Sequence, residues 1–182
     1  MGVALLLVDI QNDYFPKGKM ELSNTMEAAM NASKLLNWFR KRNQTLVHIQ
    51  HIAPKEGATF FLPDTLGAQI HQTVSPQEGE TVLTKHAPNS FLNTDLYEIL
   101  TSKDVKKLVI CGMMTHMCID STVRAAKDLG FECTLIEDAC ATRSLKYFDQ
   151  LVPSKQVHFA FISALNGTFA KVMTTKEFLM NN

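Results

Sequence analysis

Short apolar runs alternate with longer amphipathic stretches along the chain, the pattern of repeated strand–helix units. Val3 to Val8 is a continuous apolar run, as suits a strand buried on both faces. A helix is predicted over Thr25 to Arg42, with Asn24 and Glu27 at capping-box spacing and Met26, Met30, Leu35, Leu36 and Phe39 as its buried face. Further strands are predicted at Leu46–Gln50, Thr81–Thr84, Leu108–Gly112 and Cys133–Glu137, and a last short one at Phe169–Met173. A short helix falls near Thr94–Leu100. A longer one runs from Cys118 to Leu129, stopped by Gly130 at a C′ position. Another covers Ser154–Leu165, and Thr174 with Glu177 has the spacing to cap a terminal helix. Residues 51–80 are irregular, punctuated by proline and glycine. No repeat or linker interrupts the series, so a single domain over 1–182 is expected: an open, mostly parallel α/β sheet with helices on both faces.

In such a sheet, ligands bind at the carboxyl ends of the strands. The polar residues just past each apolar run are therefore the candidates. Strand 1 runs into Asp9, followed by Gln11, Asn12 and Asp13; strand 3 runs into Lys85; strand 4 leads through Gly112–Met117 to Cys118 at a helix start. A thiol there would feel the positive end of the helix dipole, and a nearby ammonium would lower its pKa further, favouring thiolate. Backbone N–H groups of the turn could hold an oxyanion, and Asp9 could relay the thiol proton. Each residue also has a plainer reading. Buried cysteines are commonly small hydrophobes, which suits Cys111, Cys133 and Cys140; an Asp at a strand end is often a turn residue, and a lone Lys is usually solvated. The case for chemistry rests on the three occurring together.

Composition narrows the classes. Hydrophobic residues make up 46% and charged residues 20%, with Lys+Arg and Asp+Glu balanced at 18 each. A nucleic-acid partner would call for a basic excess, so none is expected, and a small-molecule substrate is. The N-terminal apolar run is too short for a membrane span or a secretory signal. The four cysteines then read as free thiols in a reducing compartment, and a cytoplasmic location is expected. No phosphate-binding glycine motif follows a strand, and no cofactor is expected.

The ordered set of segments resembles the isochorismatase-like superfamily of cysteine hydrolases, which includes nicotinamidases, carbamoylsarcosine amidohydrolase and isochorismatase. Leu7–Phe15 resembles its Asp-x-Gln-x-Asp-Phe opening, Lys85–Phe91 its Lys-x-x-x-(Ser/Ala)-Phe segment, Gly112–Ala126 its catalytic turn and helix, and Asp138–Thr142 the segment after strand 5. The resemblance implies a three-layer α/β/α, Rossmann-like sandwich with a six-stranded, mostly parallel sheet in the order 3-2-1-4-5-6. It implies a catalytic Asp9, Lys85, Cys118 triad, a cis peptide between Met113 and Met114, and an oxyanion hole from the N–H groups of Met114 and Cys118. Tyr14 stands where the family commonly has a pocket-lining Phe. Phe60, Phe61, Leu62, Phe91, Met113 and Met117 are loop or turn residues that could line the pocket or equally serve as anchors on the core; Tyr14, Phe61, Phe91 and Met113 are taken as the substrate-binding candidates. His86 and His116 are open between substrate contact and surface roles.

Many nicotinamidases carry an Asp-x-His metal motif after strand 2. Here the region reads His48-Ile49-Gln50-His51-Ile52-Ala53, without the Asp, and residues three apart in a strand point to opposite faces. No metal is expected, and His71 is too distant to change that. Isochorismatases proper act on a vinyl ether and generally lack the cysteine. Retention of Cys118 therefore points to hydrolysis of an amide, ureido or related C–N substrate through a thioester. The alternatives are a vinyl ether hydrolase with Asp9 as general acid and a catalytically silent scaffold. Members are commonly homo-oligomers, so a dimer or larger is expected.

Overall fold

A computed structural model describes residues 2–53 and 57–182. Six parallel strands form the sheet: β1 (Gly2–Val8), β2 (Thr45–His51), β3 (Thr81–Lys85), β4 (Val105–Met113), β5 (Glu132–Ala141) and, near the C-terminus, β8 (Lys171–Met173), in the order β3-β2-β1-β4-β5-β8. Between β5 and β8 a small antiparallel hairpin, β6 (Leu145–Tyr147) and β7 (Gln150–Val152), stands apart from the sheet. Its turn carries Phe148 at positive φ, a residue that does not advertise a hairpin, and the sequence pattern did not predict it.

The strict alternation of β1 explains the layers. Leu5 and Leu7 enter one apolar cluster with α1 (Thr25–Lys41) and α5 (Thr175–Asn181); Ala4, Leu6 and Val8 enter the other, with α2 (Leu96–Ser102), α3 (Asp120–Asp128) and α4 (Ser154–Leu165). The result is three layers, α/β/α. Among the described residues no helix is long and apolar enough to cross a membrane.

Two helix starts differ from expectation. Asn24 adopts a left-handed conformation and makes no side-chain cap, and α1 buries Ala28, Ala29, Ala32, Leu35, Leu36 and Phe39 while Met26 and Met30 are exposed. Small residues on the inner stripe let the helix lie close to the sheet, so the longer methionines turn outward. The helix expected from Cys118 begins instead at Asp120, after a wide turn over Thr115–Ile119 in which Ile119 N–H donates to the Met114 carbonyl. Its far end matches the glycine stop: Gly130 N–H donates to Lys127 O and Phe131 N–H to Ala126 O, a Schellman pair with Gly130 at φ 91°. The Thr174–Glu177 capping box forms on both sides.

The strand order reverses between β1 and β4, where crossovers leave in opposite directions and a crevice opens at the carboxyl edge. These two strands run so close there that a Cβ on Gly112 (φ 130°) would overlap the Val8 carbonyl. Only glycine fits beneath the crevice.

Candidate active site

The carboxyl edge gathers three side chains that enter from separate strands. Asp9 follows β1, Lys85 ends β3, and Cys118 lies in the wide turn after β4; all three are buried. Lys85 Nζ sits 2.7 Å from Asp9 Oδ2 and also donates to the Ala87 and Pro88 carbonyls at 2.9 and 3.3 Å. Asp9 Oδ1 is buried with no donor among the described residues. One carboxylate oxygen is thus paired and the other is an open acceptor beside the thiol.

His51 joins them, which sequence reasoning missed. The parallel register sets His51 opposite Lys85, so its Nδ1 receives a hydrogen bond from Lys85 Nζ at 3.1 Å and lies 3.9 Å from Asp9 Oδ2. Gln11 fixes that position: its carboxamide donates to the His51 and Ala68 carbonyls at 2.8 and 2.7 Å and accepts from His51 N–H at 2.8 Å. Asn12 donates to Leu66 O, and Asp13 accepts the Phe61 N–H at 2.7 Å. The polar run after β1 therefore clamps the 57–70 loop over the crevice.

Electrostatics depart from expectation at the sulfur. Burial first, then the Asp9 charge, push the Cys118 thiol up, and the Lys85 charge offsets only part of this. The expected lowering fails because Cys118 lies inside the wide turn, 3% exposed, instead of at the exposed start of α3. Burial pulls Lys85 down, but Asp9 and Cys118 outweigh it and leave the ammonium raised. Burial and the Lys85 charge lower His51, so it is neutral at pH 7. The resting cluster is thiol, carboxylate, ammonium and imidazole.

Asp9, His51 and Cys118 bring donor atoms within 4.8 Å of one another, a set that could ligate a metal ion. The Lys85 ammonium already bonds both Asp9 and His51, so a metal there would have to displace a buried cation. The donor set does not fit one. His48, the other histidine of the strand, points away and bonds Glu80 Oε2 at 3.0 Å.

The remaining candidates divide. Tyr14 is buried against Phe61, with ring centroids 4.6 Å apart; burial, Cys118 and Asp9 raise its hydroxyl. Met113 and Met114 are buried and joined by a cis peptide bond. Phe61 lies 5.9 Å from the His51 ring, and Met117 is partly exposed on the turn. Phe91 is a correction: its ring stacks on Phe131, which precedes β5 at the opposite edge of the sheet. Asn89 and Ser90 turn the chain down onto α3, where Ser90 bonds Thr122, so Phe91 anchors the core. His116 contacts the Thr142 hydroxyl, His86 caps the Ile52 carbonyl at the surface, and His71 stacks on Phe15 away from the cluster. Cys111, Cys133 and Cys140 are buried free thiols, and burial pushes Cys133 up to about 11 and Cys140 up to about 12. A cavity of about 340 Å³ opens between α1, β5 and α4, beside Thr142 and His158, and does not include the Cys118 cluster.

Residues 3–177 match the family model for the isochorismatase domain. The chain belongs to the isochorismatase family of hydrolases. It is 55% identical over 179 residues to the isochorismatase family protein YddQ of Bacillus subtilis (strain 168), covering 98% of this chain and 99% of that one. A crystal structure of an isochorismatase hydrolase from Oleispira antarctica superposes with a TM-score of 0.94 at 48% identity, covering 98% of this chain and 96% of the other. Among more distant relatives is the ureidoacrylate amidohydrolase RutB of Klebsiella pneumoniae (strain 342), 25% identical over 169 residues, 75% of this chain and 72% of that one.

Proposed function

We propose that this hydrolase cleaves a small amide or ureide through a thioester on Cys118. The observation that carries the reading is the buried convergence of a thiol, a carboxylate with one open oxygen, and an ammonium holding the other oxygen. The proton stays on sulfur at rest. As the sulfur attacks the carbonyl carbon, Asp9 takes that proton, and the N–H groups of Met114 and Cys118 receive the oxyanion. Collapse breaks the C–N bond, and Asp9 returns the proton to the leaving nitrogen. Water then attacks the thioester, giving its proton to Asp9, and the acid departs. The sulfur leaves as thiolate and recovers the proton from Asp9. Lys85 holds the Asp9 carboxylate in place through their ion pair, and neutral His51 holds Lys85 in place. The ureidoacrylate amidohydrolase among the relatives supports the C–N assignment.

Ammonia release across a panel of small amides and ureides tests the reading, with intact-mass detection of an acyl adduct on Cys118. Turnover that survives Cys118→Ala would instead assign the chemistry to Asp9 as a general acid, as vinyl ether cleavage requires. Absence of turnover and adduct across both substrate classes would leave a silent scaffold.

We infer further that the protein works in the cytoplasm as a homo-oligomer. Four free cysteines support the compartment. Exposed Tyr147, Phe148 and Leu151 on the hairpin and exposed Phe159 on α4 are large apolar groups left in solvent, which supports assembly. Light scattering on Phe148→Asp is expected to show a smaller species than the wild type.

A further inference from the structure

Three polar side chains beside the site take no part in the chemistry above, yet they are joined to one another and to the turn that carries Cys118. Thr115, the first residue of that turn, is fully buried. Its hydroxyl meets two partners: the Ala141 carbonyl at 3.3 Å and His158 Nδ1, on α4, at 3.0 Å. A hydroxyl has one proton, and a carbonyl only accepts. The proton therefore goes to Ala141, and His158 Nδ1 carries the N–H that donates to the Thr115 oxygen. The far nitrogen, Nε2, lies 3.6 Å from Glu137 Oε2 on β5. The ring is held between a carboxylate that lines the α1–β5–α4 cavity and a buried hydroxyl at the turn.

The place of that hydroxyl gives the link a purpose. The mechanism asks the N–H groups of Met114 and Cys118, on either side of Thr115 in the chain, to converge on one oxyanion. The turn closes on itself where Met117 and Ile119 N–H donate to the Met114 carbonyl. Its entry is fastened from outside: Ala141 stands opposite Met113 in the β4–β5 register, and Thr115 bonds that same Ala141. Without a donor on its oxygen, the Thr115 hydroxyl is free to rotate off the carbonyl. With His158 Nδ1–H in place, the Ala141 carbonyl is the acceptor left to its proton. Helix α4 thereby fixes the side chain that fixes the turn.

We infer that His158 is a positioning residue: by donating to Thr115 it holds the turn so that the two oxyanion donors point at one place. The inference rests on the thioester reading. It adds to that reading a helix outside the catalytic cluster, which the arrangement of Asp9, Lys85 and Cys118 does not require. Displacing a group at the reacting centre by about 1 Å costs on the order of a hundredfold in rate. The nucleophile is left alone, since the partners of His158 among the described residues are Thr115 and Glu137.

Two reagents separate the oxyanion donors from the nucleophile. Iodoacetamide alkylates sulfur at a saturated carbon, expelling iodide, and builds no oxyanion. p-Nitrophenyl acetate acylates it: the S–C bond forms at the ester carbonyl through an oxyanion, the C–O bond breaks, nitrophenolate leaves, and Asp9 takes the thiol proton. Alkylation is followed by mass spectrometry of the Cys118 peptide, and acylation by nitrophenolate release above the Cys118→Ala background. Two amides of the same chemistry then replace the imidazole. Asn places its nitrogen where Nδ1 stood, and Gln where Nε2 stood. In His158→Gln, acylation is expected to fall about tenfold to a hundredfold with alkylation unchanged, and His158→Asn is expected to recover most of the loss. Thr115→Val removes the other half of the bond and is expected to match His158→Gln; it serves in its place if that variant does not fold. The double variant is expected to be no slower than either single one. Equal acylation in the wild type and His158→Gln would overturn the proposal. So would a parallel fall in acylation and alkylation, or a His158→Asn as slow as His158→Gln. A wild type alkylated but never acylated at Cys118 has no oxyanion donors to position and overturns it too. A Cys118 inert to both reagents strikes the thioester reading itself, and the proposal with it.

Discussion

Strand β2 contributes a histidine to two charge clusters, one half-buried and one buried, and the two are built to opposite ends. On one face His48 joins Glu80 and Arg40. The Glu80 carboxylate accepts from Arg40 Nε at 2.7 Å, Arg40 Nη2 at 2.8 Å, Gln77 N–H at 2.8 Å and His48 at 3.0 Å. Both oxygens are engaged, Oε1 by one donor and Oε2 by three. Although burial works against the charge, these bonds to Arg40, Gln77 and His48 hold the Glu80 carboxyl down at about 2. On the other face His51 joins Asp9, Lys85 and Cys118, and there the carboxylate keeps an oxygen without a donor. A saturated carboxylate cannot take a proton near neutral pH and serves as a brace joining α1 to the edge of the sheet. An unsaturated one, next to a thiol, keeps an acceptor free for the proton the attacking sulfur gives up. The difference between structural and reactive clusters lies in the number of donors each acceptor is given, and much less in which residues are present.

The sharpest way to break this comparison is to remove the sulfur. Cys118→Ala is expected to lower kcat/KM on any amide substrate by at least ~10³-fold, while its unfolding free energy in urea stays within about 1 kcal/mol of the wild type. A variant that lost stability and kept activity would invert the assignment. Glu80→Gln is the converse: it is expected to cost about 2 kcal/mol in the same urea titration, with kcat/KM close to the wild type. A smaller effect sharpens the comparison through pH. Glu80 titrates lower in the folded protein than its ordinary value of 4.5, so the unfolded chain binds the extra proton. The stabilisation is complete above 4.5 and is lost as pH falls from 4.5 toward about 2. Urea midpoints through that window should decline more steeply in the wild type than in Glu80→Gln; parallel declines would remove Glu80 from the account. The smallest effect lies at milder pH. Burial lowers His48, His51 and His116, so the unfolded chain protonates first and stability begins to fall as pH drops through 6.5. Replacing His48 with Gln should flatten that shallow slope.

The parts of this design that were legible in the sequence are those written locally. Strand β1 declared itself by a run of apolar residues, Gly130 by its place after an amphipathic stretch, and Asp9, Lys85 and Cys118 by lying just past apolar runs. What was not legible depends on register or on depth. His51 reaches Lys85 because two parallel strands align those residues, and spacing within one strand carries no trace of that. Glu80 could not be told from any other acidic loop residue until β2 and α1 converged on it. The Cys118 thiol could not be read as raised until the wide turn placed it below the surface and beside Asp9. Phe91 follows Lys85 closely enough to look like part of the pocket, yet the chain turns at Asn89 and sends it to the far edge. Met26 and Met30 fit a helical stripe as well as the alanines do, and only close packing against the sheet chose between them.

Gln11 bears on how such an enzyme can be remodelled. One carboxamide holds the end of β2 and the 66–70 segment together by three hydrogen bonds, and its neighbours Asn12 and Asp13 secure the same loop at Leu66 and Phe61. The loop over the crevice is therefore not an interchangeable part. A graft of residues 57–70 from a relative has to travel with residues 11–13 as one cassette, because a transplanted loop meets its fasteners 48 to 57 positions upstream.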